Sequence, residues 1–171
     1  MRDKFLLVIL LAVVAYVLYD YFSGGSLSSS IVGNGIPQQN FPGIPQQLIQ
    51  DFSQSIASAE GYGVPNAIPT KANNPGDLEL GDLFGLGVLG QGITVFPDAT
   101  TGWEYLYNQV GIMLSGQSSH YQVTENFTSV GATYAGDSVA WPANVVSQLI
   151  MRGYNIGIGN TLQDLVNEAN A

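Results

Sequence analysis

No cysteine occurs in the 171 residues, which excludes disulfides and thiolate metal sites. The single histidine, His120, cannot build a histidine cluster and sits in a polar stretch, Ser118-Ser119-His120-Tyr121, that reads as exposed. Basic side chains are almost missing: Arg2, Lys4, Lys71 and Arg152 stand against 13 acidic residues, for a net charge of −9. Four cations spread along the chain form no basic patch, so a nucleic-acid backbone finds no electrostatic partner. Charged residues make up only 10% of the chain and hydrophobic ones 46%. That composition suits one modest domain with a real core, and a neutral, hydrogen-bonding polymer as its partner. Asp77, Glu79 and Asp82 are close together in sequence but lack the spacing of a calcium loop, so neither a metal nor a cofactor is expected.

The longest apolar run opens the chain. Arg2 and Lys4 precede fifteen uncharged residues, Phe5 to Tyr19. At ~1.5 Å per residue these give roughly 22 Å of helix against a hydrocarbon core of about 30 Å. Tyr19, Tyr21 and Phe22 extend the run as an aromatic belt. The expectation is a single transmembrane anchor over residues 1–22, its amino terminus cytoplasmic by the positive-inside rule and the remainder outside. The rival is a signal peptide cut in Ser23-Gly24-Gly25-Ser26. Residues 23–47 then read as a Gly/Ser/Pro/Gln linker, in which Gly35-Ile36-Pro37-Gln38-Gln39 returns as Gly43-Ile44-Pro45-Gln46-Gln47. A tether is the plain reading; the alternative packs Ile36, Phe41 and Ile44 onto the domain.

The folded domain is expected over residues 48–171 and mainly α (α+β), with one small β-hairpin. Leu48, Phe52, Ile56 and Ala59 recur at near-helical spacing and end at Glu60, with Gly61 and Gly63 as terminators. Gly- and Pro-rich loops follow, with a hairpin tip at 81–90 and an apolar strand at 92–97. Thr101-Gly102-Trp103-Glu104 fits a capping box ahead of a stripe through Leu106, Val110 and Met113. Further helices are expected over 123–134, from Pro142 to Gly153, and after a Thr161 cap.

The order helix, acid, polar turn, strand, helix sets one carboxyl, Glu60, at a helix end facing a polar cleft. A general acid that cleaves a sugar linkage at neutral pH needs such a place, because an apolar setting raises its pKa. Asn73 and Asn74 either hydrogen-bond sugar N-acetyl groups or fix the turn. Tyr134 either hydrogen-bonds Glu60 or the sugar, or is a core tyrosine. Trp103 and Trp141 read as core, with stacking on a sugar face the alternative for Trp141. Asp77, Glu79 and Asp82 are candidate second acids. Asn126-Phe127-Thr128 is a formal glycosylation sequon.

From Glu60 onward the chain resembles the lysozyme-like superfamily, and within it the lytic transglycosylase and goose-type lysozyme branch, above all its small versions from phage particles. The matching pieces are Glu60, Asn73-Asn74-Pro75-Gly76, Val95-Phe96-Pro97, Gly102-Trp103, Ala132-Thr133-Tyr134-Ala135-Gly136, the Asn144-Val145 helix and Thr161-Leu162-Gln163-Asp164-Leu165. Together they cover roughly residues 48–168. The chain departs from the pattern where Gly61 replaces a serine, where a Gly-Leu-Met-Gln hairpin motif is missing, and where Thr133-Tyr134-Ala135 lacks an asparagine. The resemblance implies a lysozyme-like helical domain and lytic cleavage of the linkage between N-acetylmuramic acid and N-acetylglucosamine in peptidoglycan. Glu60 would be the one general acid and base, and Asn73, Asn74, Phe96 and Tyr134 the substrate-binding residues. It also implies a virion-associated protein, with other virion membrane proteins as possible neighbours, or an enzyme of bacterial wall remodelling. Two other readings stay open: a non-catalytic wall-binding or structural virion membrane protein, and a membrane-anchored assembly adaptor that works through its linker.

Overall fold

The computed structural model describes residues 40–171. The expected anchor over 1–22 and most of the linker lie outside these residues. Among the described residues no helix is long and apolar enough to cross a membrane. The architecture is mainly helical, with one two-stranded antiparallel sheet. Its elements are α1 (Gln46–Ala59), α2 (Ile68–Lys71), β1 (Val88–Leu89), β2 (Ile93–Thr94), α3 (Ala99–Leu114), α4 (Phe127–Tyr134), α5 (Ala140–Met151) and α6 (Leu162–Ala169). The strands pair Val88 with Thr94 and Leu89 with Ile93.

α1 is the central helix and packs against α5 and α3, while α5 also meets α4, and α3 meets α6. The expected stripe is the buried one: Leu48, Phe52 and Ile56 are fully enclosed, and Ile49 and Ala57 widen it. Phe52 meets Phe127 of α4 edge to face at 5.9 Å. Leu106, Val110, Met113, Val145, Leu149, Leu162 and Leu165 complete the same core. Along α1, Tyr154 donates to Asp51 Oδ2 at 2.9 Å, and Arg152 pairs with Asp51 at 3.7 Å.

Three sequence expectations shift. The domain begins earlier than residue 48: Phe41 is 8% exposed, and a Cβ on Gly111 of α3 would collide with its ring. Ile44 also packs on the core, so this end of the expected tether is part of the fold. Second, α3 starts two residues before the Thr101 box, because the Asp98 carboxylate accepts from the Thr101 N–H at 2.8 Å and is its cap. Third, the strand expected over 92–97 shortens to Ile93–Thr94. The last helix keeps its expected cap, with a reciprocal box between Thr161 and Asp164. Asn126 of the sequon caps α4, accepting from the Ser129 N–H at 2.9 Å.

Phe41→Ala is therefore expected to destabilise the domain by about 3 kcal/mol, the usual cost of truncating a core phenylalanine. Thermal melts of the full chain with and without the substitution measure it; an unchanged Tm would return residue 41 to the tether.

Candidate active site

Glu60 owes its place to the way α1 stops. Its own N–H still bonds Ile56 O at 2.9 Å. The next residue, Gly61, turns to φ +77. Gly61 N–H then reaches Ser58 O at 3.2 Å and Tyr62 N–H reaches Ala57 O at 2.9 Å. This is a Schellman stop, which needs a left-handed residue directly after the cap. The glycine that stands where the resembling motif has serine is thus required by the backbone. Glu60 is left at the helix end, partly buried.

Facing it is the turn 73–78, held from within by Asn74. That side chain is fully buried and makes three hydrogen bonds. Its Nδ2 donates to Leu78 O at 2.9 Å and Thr94 O at 3.0 Å, and its Oδ1 accepts from Leu78 N–H at 2.9 Å. Asn73 takes φ +52 and donates to Phe96 O at 3.2 Å. Two glycines let other elements close on this turn. A Cβ on Gly102, in the first turn of α3, would collide with the Asn73 carbonyl. One on Gly76 would lie 2.7 Å from Leu106 and 2.9 Å from the Tyr134 hydroxyl. The Asn-Asn-Pro-Gly run and Gly102-Trp103, read separately along the chain, are two halves of one packing contact.

Tyr134 and Trp141 come from α4 and α5. Their rings stack at 5.2 Å with planes 30° apart. The Tyr134 hydroxyl is enclosed and donates to Gly76 O at 2.6 Å. Burial, then the nearby negative charge of Glu60, pushes this phenol well above its ordinary range. Trp141 is 4% exposed, and its Nε1–H donates to Glu60 Oε1 at 2.6 Å.

Glu60 is therefore a carboxyl with an unusual proton affinity. Burial raises its pKa, the Trp141 N–H draws it down, and the charge of Asp77 raises it again; the outcome is about 7. Asp77 stands at φ +52 in the turn. It too is raised, by burial and by Glu79, and its Oδ1 is buried without a hydrogen-bond partner. Next to the site lies a row of half-buried rings. Tyr62 meets Trp103 edge to face at 5.6 Å, and Trp103 stacks on Tyr107 at 5.6 Å.

The structure brings Glu60, Tyr134 and the Asn73–Asp77 turn together. It gives several expected residues other work. Asn74 is spent inside the turn and has no exposed surface. Phe96 is 1% exposed and packs with Phe84 and Tyr105 at 5.5 and 5.1 Å. Tyr134 bonds the backbone of the turn instead of the acid. Neither Asn74 nor Phe96 presents a side chain to a ligand here. Asp82 Oδ1 accepts from Gly87 N–H at 2.7 Å and shapes the hairpin loop, and Glu79 is exposed. Among the described residues, no group of three acids or histidines is placed to hold a metal. Trp141 is buried, as its reading as core expects, but its bond to Glu60 was not foreseen. Its position before Pro142 at a helix start was visible, but the 81-residue separation from Glu60 was not.

No family model matches the chain, and no match to it was found among curated proteins or among solved structures.

Proposed function

We propose that this chain cleaves the N-acetylmuramic acid–N-acetylglucosamine linkage of peptidoglycan as a lytic transglycosylase of lysozyme-like fold, with Glu60 as its general acid and base. The observation that carries the reading is the Glu60 carboxyl: at a helix end, partly desolvated, and holding its proton up to about pH 7. An ordinary glutamate is ionised there and has no proton to give.

In the proposed reaction the Glu60 proton passes to the glycosidic oxygen as the bond from that oxygen to the muramyl C1 breaks. The C6 hydroxyl of the same sugar then attacks C1, and its proton returns to the Glu60 carboxylate. The product is a 1,6-anhydro ring, and no cofactor, metal or second carboxylate takes part. The Tyr62, Trp103 and Tyr107 rings supply apolar faces of the kind that pack on sugar rings. The net charge of −9 suits a ligand bound through hydrogen bonds and ring faces. An anchor over residues 1–22 would hold the domain against the wall, from a virion membrane or from the bacterial envelope.

One observation favours a second reading. Asp77 brings a second carboxylate, with an unpartnered oxygen, into electrostatic range of Glu60. A carboxylate placed to orient water would make the enzyme a hydrolase. A wall-binding protein without catalysis is the alternative to both. The test is incubation of purified sacculi with the full chain. Release of soluble muropeptides is the expected result. Sedimentation of the protein with intact sacculi, without release, would replace the enzyme with the binding protein.

A further inference from the structure

Trp141 was expected to be core, or a platform for a sugar. At 4% exposure it offers no face to a ligand, and its one polar atom points at the Glu60 carboxyl, 2.6 Å away. We propose that Trp141 is a positioning residue that fixes the Glu60 carboxyl through Oε1 and so makes Oε2 the oxygen that carries the transferred proton. The proposal rests on the reading of Glu60 as the acid.

The chemistry of the donor gives the argument. An indole N–H donates and never accepts. A hydroxyl in its place could turn to accept a proton from the acid and trap it. Facing the indole, the protonated carboxyl keeps its carbonyl oxygen, the better acceptor, at Oε1, and its proton on Oε2. The ionised carboxyl keeps the same bond, now strengthened by charge. One contact therefore serves both states of a group that must give a proton and take it back. It also works against the burial that raises the proton affinity of Glu60, holding the group near neutrality.

The surrounding structure fixes the indole. Asp137 Oδ1 accepts from the Val139 and Ala140 N–H groups at 2.8 and 2.9 Å, pinning the start of α5 directly before Trp141. A Cβ on Gly131 of α4 would lie 2.6 Å from the Asp137 carbonyl, 2.9 Å from Pro142 and 3.1 Å from the Trp141 ring, so a residue without a side chain lets α4 and α5 close. Tyr134 covers one face of the indole and is itself tied to Gly76 O. The titratable groups facing Glu60 are Asp77 from the turn and Tyr134 from α4. The Asp77 charge opposes that of Glu60, while the Tyr134 phenol stays neutral, which leaves the Trp141 N–H as the side-chain group that favours the ionised acid.

The test replaces Trp141 in the full chain with 3-benzothienylalanine, which keeps the ring shape and loses the N–H. The Glu60 carboxyl is followed by carbon-13 NMR across pH, its signal assigned by its loss in E60Q. The expected result is an upward move of the Glu60 midpoint by about one pH unit. The alkaline limb of glycan cleavage should move with it, and kcat should fall with KM unchanged. An unmoved midpoint in a folded variant overturns the proposal. A measurement on the unsubstituted chain guards against a variant that does not fold. The Trp141 indole proton should titrate with the same midpoint as Glu60, assigned with Trp103→Phe, and an indole shift flat through that range also overturns the proposal. Both titrations read the contact directly, so they stand if no glycan is cut, and a failure to cut glycan would be charged to the proposed function alone.

Discussion

Glu60→Gln is expected to lower the rate of glycan release by roughly 10²–10⁴-fold, the range a positioned general acid contributes. The fold should survive, because Gln fills the same volume and its amide oxygen accepts from the Trp141 N–H. The wild-type rate should hold at acid pH and fall as pH rises through about 7, where Glu60 loses its proton. Stability carries the same signature. The Glu60 pKa is about 7 in the folded chain against an ordinary 4.5. Between those values the folded chain keeps a proton that the unfolded chain releases, so the Glu60 contribution is complete below 4.5 and is lost as pH rises toward 7. Glutamine has no such dependence. E60Q should therefore melt above wild type at about pH 8 and level with it at about pH 4. Melting curves at the two pH values, beside release rates, check both halves. Equal melting at the higher pH would mean that Glu60 is ordinary and solvated.

The second large effect belongs to Asn74. Asn74→Ala removes three buried hydrogen bonds at once and leaves Leu78 N–H, Leu78 O and Thr94 O without that partner. Leu78 O keeps the Thr94 N–H at 3.0 Å, but each lost bond is worth about 1 kcal/mol and the Leu78 N–H adds a desolvation cost, so the loss should be about 3 kcal/mol. A Tm lower by roughly 10 °C follows for a domain of this size. Because the same turn presents Gly76 to Tyr134 and carries Asp77, glycan release should fall as well, even at temperatures where the variant is folded. Calorimetry beside release at low temperature separates the two effects. A folded variant with wild-type stability would mean that the turn is held by its backbone alone.

These two residues show what was legible in the chain. The buried stripe of α1 and the helix stop at Glu60-Gly61 were readable, because both follow from local periodicity and from a glycine's freedom. The Thr161 cap was readable for the same reason. Asn74 was readable as one of two possibilities, and the structure shows the turn-fixing one. What the sequence concealed was distance. Phe41 looked like tether because nothing local says that Gly111 leaves a space for its ring. Tyr134 read either as a partner of Glu60 or the sugar or as a core tyrosine; its hydroxyl is taken by Gly76, and Trp141 supplies the bond to the acid from farther along. Asp98 displaced Thr101 as a cap because its carboxylate reaches the Thr101 N–H first. Apart from the Asp98 cap, side chains that act locally were foreseen; partners brought together by the packing of α4 and α5 on α1 were not.

The most direct test of the central claim is the identity of the ends released. Purified peptidoglycan digested by the full chain, with E60Q in parallel, would be read by mass spectrometry. The account predicts 1,6-anhydromuramyl ends from the wild type and none from E60Q. Anhydro ends that persist in E60Q would contradict Glu60 as the acid. Reducing ends in their place would contradict the transglycosylase and move the reaction to hydrolysis, with Asp77 as the carboxylate beside the water.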